Sequence, residues 1–191
     1  MCVNLLGMST NMQELKNICI KNKLYLIEDT CEALGAKYNK KYLGTFGKFG
    51  TFSFYYSHQI TCGEGGMLVT DDKYLYNIAK TLRAHGWSRD TIFHKYYSKK
   101  YNKIDSRFLF INSGFNLRPL EISAAIAMSQ LKKLKYFIKI RDQNRKKIIQ
   151  SIKKNSQWNN QFYFFEPKNE TFTSWFGLGI LINKKYQKKK R

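Results

Sequence analysis

Hydrophobic and polar positions alternate in patterns that predict helices and strands in turn along the chain. Residues 11–22, NMQELKNICIKN, carry apolar side chains at helical spacing, and Asn11 with Glu14 has the spacing of a capping box. Three segments instead have the pattern of strands: residues 23–30 (KLYLIEDT), 48–57 (KFGTFSFYYS) and 65–72 (GGMLVTDD). Because strands and helices alternate, we expect an α/β fold with a mostly parallel sheet.

The second half of the chain is mainly helical in pattern. Asp72 can cap the next helix, and residues 118–155 predict one bent helix or two in sequence, with Pro119 as the first helical residue. Between these helices, residues 88–109 are poorly patterned and predict an ordered loop. Residues 174–183, SWFGLGILIN, predict one more strand.

Composition and cysteine usage exclude several classes of protein. Hydrophobic residues make up 43% and aromatic residues 16% of the 191 positions, which excludes a disordered chain. The N-terminus lacks the pattern of a signal peptide, and no apolar run approaches the roughly 20 residues of a membrane span. The four cysteines form no CxxC pair, which is typical of reduced thiols in a cytoplasmic protein without a metal site.

The formal net charge of +21 suggests nucleic-acid binding, but the distribution of charge does not support it. The lysines are spread along the chain, and no helix-turn-helix, zinc-finger or RNP-like pattern occurs. We therefore expect no specific nucleic-acid partner. The basic tail, residues 183–191, is expected to be a solvated chain end.

Polar residues follow the predicted strands at the ends where α/β sheets bind ligands. Glu28 and Asp29 end one strand, and residues 53–58 end the next. The pattern alone predicts two roles equally well for the acidic pair: a ligand site, or a helix cap or surface turn. Asn116 is by itself more typical of a turn, and His85 can equally complement the dipole of a helix end.

The ordered series of motifs resembles one enzyme family. The stretch LIEDTCEALGAKYNKKYLGTFGKFGTFSFYYSHQITCGEGGMLVTDD, followed by RAHGWSRD, SGFNLRPLEISAAIAMSQLKKL and SWFGLGILI, is similar to the DegT/DnrJ/EryC1/StrS sugar aminotransferases. The resemblance covers nearly the whole chain and implies a pyridoxal-phosphate-dependent transferase of fold type I, similar to aspartate aminotransferase. It also implies a homodimer with shared active sites.

The resemblance assigns four contacts to the cofactor. Asp29 matches the aspartate that pairs with the pyridine nitrogen, where a carboxylate keeps that nitrogen protonated. Glu32 falls where relatives often have a glutamine that contacts the ring. Ser53 matches the serine that hydrogen-bonds the phosphate, and Asn116 matches an asparagine that reaches the phosphate from the neighbouring subunit.

His58 stands where most family members have the lysine that bonds covalently to the cofactor. With a histidine at this position, the segment resembles the sugar-nucleotide 3-dehydratase branch of the family. Enzymes of that branch hold pyridoxamine phosphate without a covalent link. This branch implies removal of the C3 hydroxyl from a nucleotide-linked 4-keto-6-deoxyhexose, for dideoxysugars of the lipopolysaccharide type. His58 would be the base, since its ordinary pKa of about 6.5 lets it take and return a proton. L-glutamate would restore the amine, and His85 and Arg89 match positions that face the sugar nucleotide.

Two alternatives to the dehydratase are open: a pyridoxal-phosphate-dependent sugar-nucleotide aminotransferase, or an inactive fragment of either enzyme. No iron–sulfur cluster is expected, because a cluster needs about four thiolates and residues 87–108 contain no cysteine to join Cys31. The resemblance implies a phosphate loop before this chain and a completed small domain after it. We therefore expect a fragment in which residues 1–150 belong to the cofactor-binding large domain and residues 151–191 begin a C-terminal domain.

Overall fold

The computed structural model describes residues 1–187, which form an α/β fold. The strands are β1 (Cys2–Val3), β2 (Ile27–Asp29), β3 (Lys37–Tyr38), β4 (Lys41–Tyr42), β5 (Phe49–Ser53), β6 (Gly66–Val69), β7 (Phe162–Phe164), β8 (Thr171–Phe172) and β9 (Ile180–Ile182). The helices are α1 (Met12–Lys21), α2 (Lys73–Arg83), α3 (His94–Lys100), α4 (Glu121–Leu131) and α5 (Leu134–Lys154). Short 3-10 turns occur at Leu5–Gly7, Ser106–Phe108 and Lys184–Tyr186.

The central sheet has four strands in the order β1-β2-β5-β6. Strands β1, β2 and β5 are parallel, and β6 runs antiparallel to β5. The expectation of a mostly parallel sheet is therefore confirmed. Two smaller antiparallel sheets, β4-β3-β8 and β7-β9, are separate from the central sheet, because their strands do not pair with it.

A compact apolar cluster packs beside the sheet and includes the first residue of α1. Its buried members, listed by position, are Met12, Leu26, Ala33, Ala36, Tyr38 and Leu43. Gly50 of β5 allows a close approach here, because a Cβ at this position would collide with the carbonyl group of Gly44. The residues around Gly44 thereby pack directly against the strand that leads to Ser53.

Both helix caps predicted from the sequence are present. Asn11 caps α1, and its side-chain oxygen accepts a hydrogen bond from the backbone N–H of Glu14 at 3.1 Å. The Glu14 carboxylate in turn accepts from the Asn11 side-chain amide at 3.2 Å. Asp72 caps α2 by accepting from the backbone N–H groups of Tyr74 and Leu75 at 2.9 and 3.1 Å.

Two predictions for residues 88–155 need correction. The segment predicted as a loop contains helix α3, which has no apolar face. The stacked rings of Tyr97 and Tyr101, with centroids 6.2 Å apart, lie on one side of this helix. Pro119 is not the first helical residue, because Leu120 is still extended and α4 begins at Glu121. Of the two readings for residues 118–155, the structure shows two successive helices.

The predicted strand over residues 174–183 was too long, because only β9 is extended and paired there, and it pairs with β7. Residues 174–176 instead bond to the 3-10 turn near the N-terminus, as described below. The prediction of a solvated basic tail falls partly on residues 188–191, which lie outside the described residues.

Candidate active site

The candidate site lies where β2 and β5 end at the same edge of the sheet. Asp29 of β2 pairs in register with Thr51 of β5, and their strands are parallel. Ser53 lies two residues beyond Thr51, so its side chain leaves the strand on the same face. The sheet thus brings the aspartate and the serine to the edge at which open α/β sheets bind ligands.

The two acidic residues at the end of β2 have different roles. Glu28 is fully buried, and its carboxylate accepts three backbone hydrogen bonds: from Gly44 at 2.7 Å, Phe46 at 2.6 Å and Gly47 at 2.9 Å. A carboxylate with three N–H donors fixes the chain around it. Glu28 is therefore a structural residue, which leaves Asp29 as the acidic candidate for the site.

Asp29 is half-buried and holds the turn that follows β2. Its Oδ1 accepts from the backbone N–H of Cys31 at 3.1 Å, and Thr30 donates its N–H to the Thr51 carbonyl at 2.9 Å. Burial, together with the adjacent negative charge of the Asp29 carboxylate, raises the pKa of the Cys31 thiol to about 11. Cys31 is consequently a neutral thiol beside the Asp29 carboxylate near pH 7.

Residues 53–58 turn away from the end of β5. The Ser53 hydroxyl oxygen accepts from the Tyr55 N–H at 3.2 Å, so the hydroxyl proton is free for another acceptor. The His58 N–H donates to the Tyr55 carbonyl at 3.1 Å. The half-buried imidazole of His58 has a buried Nδ1 without a hydrogen-bond partner among residues 1–187, and the Phe176 ring packs edge-on at 5.2 Å.

Glu32 lies beside the loop that carries His58. Its Oε2 accepts from the backbone N–H of Leu6 at 2.8 Å. The Glu32 carbonyl accepts from the side-chain amide of Gln59, which also donates to the Ser174 carbonyl at 3.3 Å. Gln59 thus joins the turn after β2, the His58 loop and the C-terminal part of the chain.

His85, Arg89 and Asn116 form a second group. The His85 N–H donates to the carbonyl of Phe115 at 2.8 Å, and Ala84 and Asn116 form an isolated antiparallel bridge. Arg89 lies over the ring of Trp87 at 5.3 Å. All three predicted residues are exposed, and within the described chain no hydrogen bond, ion pair or ring contact joins them to the first group.

The sequence reasoning missed Gln59 and Phe176, which contact the His58 loop directly. Gln59 is 3% exposed and differs in no obvious way from a surface glutamine when read in sequence. Phe176 lies in a segment that the alternation pattern assigned to a strand. Their importance comes from contacts across more than a hundred residues, and the only local signal was their place inside the motif series.

Residues 1–187 contain neither a membrane-spanning helix nor a metal-binding cluster. None of their helices is both long enough and apolar enough to cross a membrane. Within the same residues, no cluster of three or more His, Cys, Asp or Glu side chains has a geometry that could hold a metal ion.

Comparison with known proteins places the chain in a family. The sequence profile of the DegT/DnrJ/EryC1/StrS aminotransferase family matches residues 1–191, and the chain belongs to that family. GDP-4-keto-6-deoxy-D-mannose 3-dehydratase of Escherichia coli O55:H7 (strain CB9615 / EPEC) is 40% identical over 192 residues, covering 95% of this chain and 46% of the relative. The chain therefore spans about half the length of the curated relatives that it matches.

Solved structures agree with the fold. The E. coli GDP-4-keto-6-deoxy-D-mannose-3-dehydratase with bound hydrated PLP superposes with a TM-score of 0.78 at 37% identity, over 96% of this chain and 46% of that one. A GDP-4-keto-6-deoxymannose-3-dehydratase with a trapped PLP-glutamate geminal diamine gives 0.76 at 36% identity, over 95% and 46%. The expected fold, that of pyridoxal-phosphate-dependent aminotransferases, is confirmed.

Proposed function

We propose that this chain is the central part of a sugar-nucleotide 3-dehydratase that uses pyridoxamine phosphate. The observation that carries the proposal is His58, which follows β5 on a loop without any lysine between Ser53 and Gly66. Its buried Nδ1 has no partner within residues 1–187. Relatives that are 36–40% identical carry the 3-dehydratase name.

The residues at this edge of the sheet fit the cofactor. Asp29 leaves Oδ2 without a hydrogen bond inside the described chain, so that oxygen can pair with a protonated pyridine nitrogen. The Ser53 hydroxyl proton can be donated to a phosphate oxygen. Glu32 would face the ring with the carboxylate oxygen that does not bond Leu6. When bound, the cofactor supplies an amine and a ring system that accepts electrons.

The reaction would depend on proton transfer at the imidazole of His58. A histidine near neutral pH takes a proton in one step and returns it in a later one. The loop offers no amine that could bond covalently to the cofactor, so Asp29, Ser53 and the other site residues would hold the cofactor through noncovalent contacts. Loss of the C3 hydroxyl from a 4-keto-6-deoxyhexose is the outcome consistent with these residues and with the relatives.

We further propose that the complete protein is a homodimer with shared active sites. Asn116 would reach the phosphate bound by the other subunit, while His85 and Arg89 would face the nucleotide sugar. Large apolar side chains around Asn116 and on α4 are exposed, as this proposal requires: Phe115 63%, Leu117 65%, Leu120 68%, Ile122 67% and Met128 67%. L-glutamate would be the amino donor, residues 1–150 part of the large domain, and residues 151–191 the start of the small domain.

The test uses the complete protein with pyridoxamine phosphate, L-glutamate and GDP-4-keto-6-deoxymannose. His58→Asn should abolish dehydration while cofactor binding, measured by absorbance titration, stays within about threefold, because Asp29 and Ser53 are untouched. His58→Lys should also abolish dehydration and shift the cofactor absorbance band, since lysine can bond covalently. Dehydration by His58→Asn at the wild-type rate would refute His58 as the base.

A further inference from the structure

The imidazole of His58 is oriented without a hydrogen bond to its buried Nδ1. Histidines that transfer protons usually have one ring nitrogen bonded to a carboxylate or carbonyl, which fixes the ring and its tautomer. Here the imidazole makes T-shaped contacts with two aromatic rings: the centroid of Tyr55 is 6.0 Å away at an interplanar angle of 89°, and that of Phe176 is 5.2 Å away at 80°. Tyr55 is exposed and lies on the same loop, so Phe176 is the aromatic contact that comes from outside the loop within the described residues.

Phe176 belongs to a segment, residues 173–176, that is held from two sides. On one side, the N–H groups of Ser174 and Phe176 donate to the carbonyls of Gly7 and Leu6, each at 3.1 Å. On the other side, Nη1 of Arg141 from α5 donates to the carbonyls of residues 175 and 176 at 3.1 and 3.2 Å. The N-terminal turn and α5, which both lie outside the His58 loop, therefore fix the backbone that presents the Phe176 ring.

The neighbouring Trp175 anchors the same segment to α5. Its side chain is 4% exposed, its Nε1 donates to Asp142 at 3.2 Å, and the guanidinium of Arg145 lies 4.0 Å from its ring centroid. Gln59 completes the connection, because its side-chain amide bonds the Ser174 carbonyl. Three elements thus converge on a short segment whose ring lies against the proposed base.

We propose that Phe176 is a positioning residue for His58, held in place by Arg141; this inference rests on the proposed function. A T-shaped aromatic contact restricts rotation of the imidazole and leaves both ring nitrogens free of a donor or acceptor. A hydrogen-bond partner would hold the ring too, but it would also occupy a nitrogen. This arrangement suits a base that must take up a proton and release it again.

The test compares Phe176→Leu with the matched variant Phe164→Leu in the complete protein. Both phenylalanines are half-buried in the C-terminal part of the described chain, but Phe164 packs on Trp158 and not on His58. Phe176→Leu should lower kcat at least ~10-fold with KM changed less than about twofold, because a misoriented group loses rate more than binding. It should also move the ring-proton NMR signals of His58, assigned by their loss in His58→Asn.

Phe164→Leu should leave kcat and the His58 signals unchanged. If Phe176→Leu does not fold, Arg141→Met removes both bonds to the segment and keeps the ring, and it should move the same signals. Unchanged His58 signals and kcat in a folded Phe176 or Arg141 variant would overturn the inference. Dehydration by His58→Asn would instead overturn the proposed function. The NMR signals test the contact between Phe176 and His58 whether or not the proposed function is correct.

Discussion

Replacing Glu28 by glutamine tests whether a buried carboxylate holds the active-site edge of the sheet. In the structure, Oε1 accepts the N–H groups of Phe46 and Gly47, and Oε2 accepts that of Gly44. Glutamine can place its one oxygen at the Oε1 position and keep two of these bonds. The amide nitrogen of the glutamine would then face the Gly44 N–H. Two donors would meet without an acceptor, at a position that has no exposed surface.

The expected loss of stability follows from the three bonds. A hydrogen bond to a charged acceptor contributes about 1.5–3 kcal/mol, and one to a neutral acceptor contributes about 1 kcal/mol. Losing one charged bond and weakening two others gives a decrease of about 3–5 kcal/mol in the free energy of unfolding for Glu28→Gln. Such a loss is a large share of the roughly 5–15 kcal/mol typical of a domain.

Urea denaturation of the complete protein, followed by tryptophan fluorescence, measures this change. Glu64→Gln is the matched control, because Glu64 is exposed and its carboxylate makes no hydrogen bond within the described chain; its change should stay within about 0.5 kcal/mol. A decrease below about 1 kcal/mol for Glu28→Gln would show that the three N–H groups find other acceptors, and the structural role assigned to Glu28 would be wrong.

Three further predictions follow from caps and from thiol chemistry. Cys31, with its pKa raised to about 11 from 9.0, should react with iodoacetamide at pH 8 about a hundredfold more slowly in the folded than in the unfolded protein; equal rates by peptide mass spectrometry would contradict this. Asn11→Ala should lower the free energy of unfolding by about 1–2 kcal/mol in urea denaturation, since its side chain caps α1 and accepts from the Tyr38 hydroxyl at 2.9 Å; Asn11→Ser should recover part of that loss. The hydrogen bond from the backbone N–H of Leu75 is the main reason that the pKa of Asp72 lies below its ordinary value of 3.8, and the bond from Tyr74 adds to it. The stabilising effect of Asp72 is therefore present above pH 3.8 and is lost as the pH falls further. The Asp72→Ala variant should therefore lose less stability than the wild type on acid titration, and identical acid titrations would refute this.

Local patterns explain which parts of the fold were predictable. The cap at Asn11 and the strands that end at Asp29 and Ser53 are encoded in a few neighbouring residues, and the structure shows them. Helix α3 was missed because its tyrosines and lysines give no apolar face. The segment at residues 174–176 alternates like a strand, but its carbonyls and N–H groups bond to a turn and to Arg141 from distant parts of the chain.

The candidate site shows the same limit. The pattern could not separate Glu28 from Asp29, because burial and three backbone donors decide their roles. The family resemblance predicts Asp29, Ser53 and His58 as site residues, and the structure brings their segments to one edge of the sheet. No local pattern predicts Gln59, since its role depends on carbonyls of two segments that only the folded chain brings together.

The most direct test of the central claim is the product of a single turnover. The complete protein would be loaded with pyridoxamine phosphate and mixed with GDP-4-keto-6-deoxymannose in the absence of L-glutamate. We predict one equivalent each of ammonia and of a keto-sugar that lacks the C3 hydroxyl, detected by mass spectrometry, and neither in the His58→Asn variant. An amino-sugar that retains its C3 hydroxyl, without release of ammonia, would contradict the dehydratase and identify an aminotransferase.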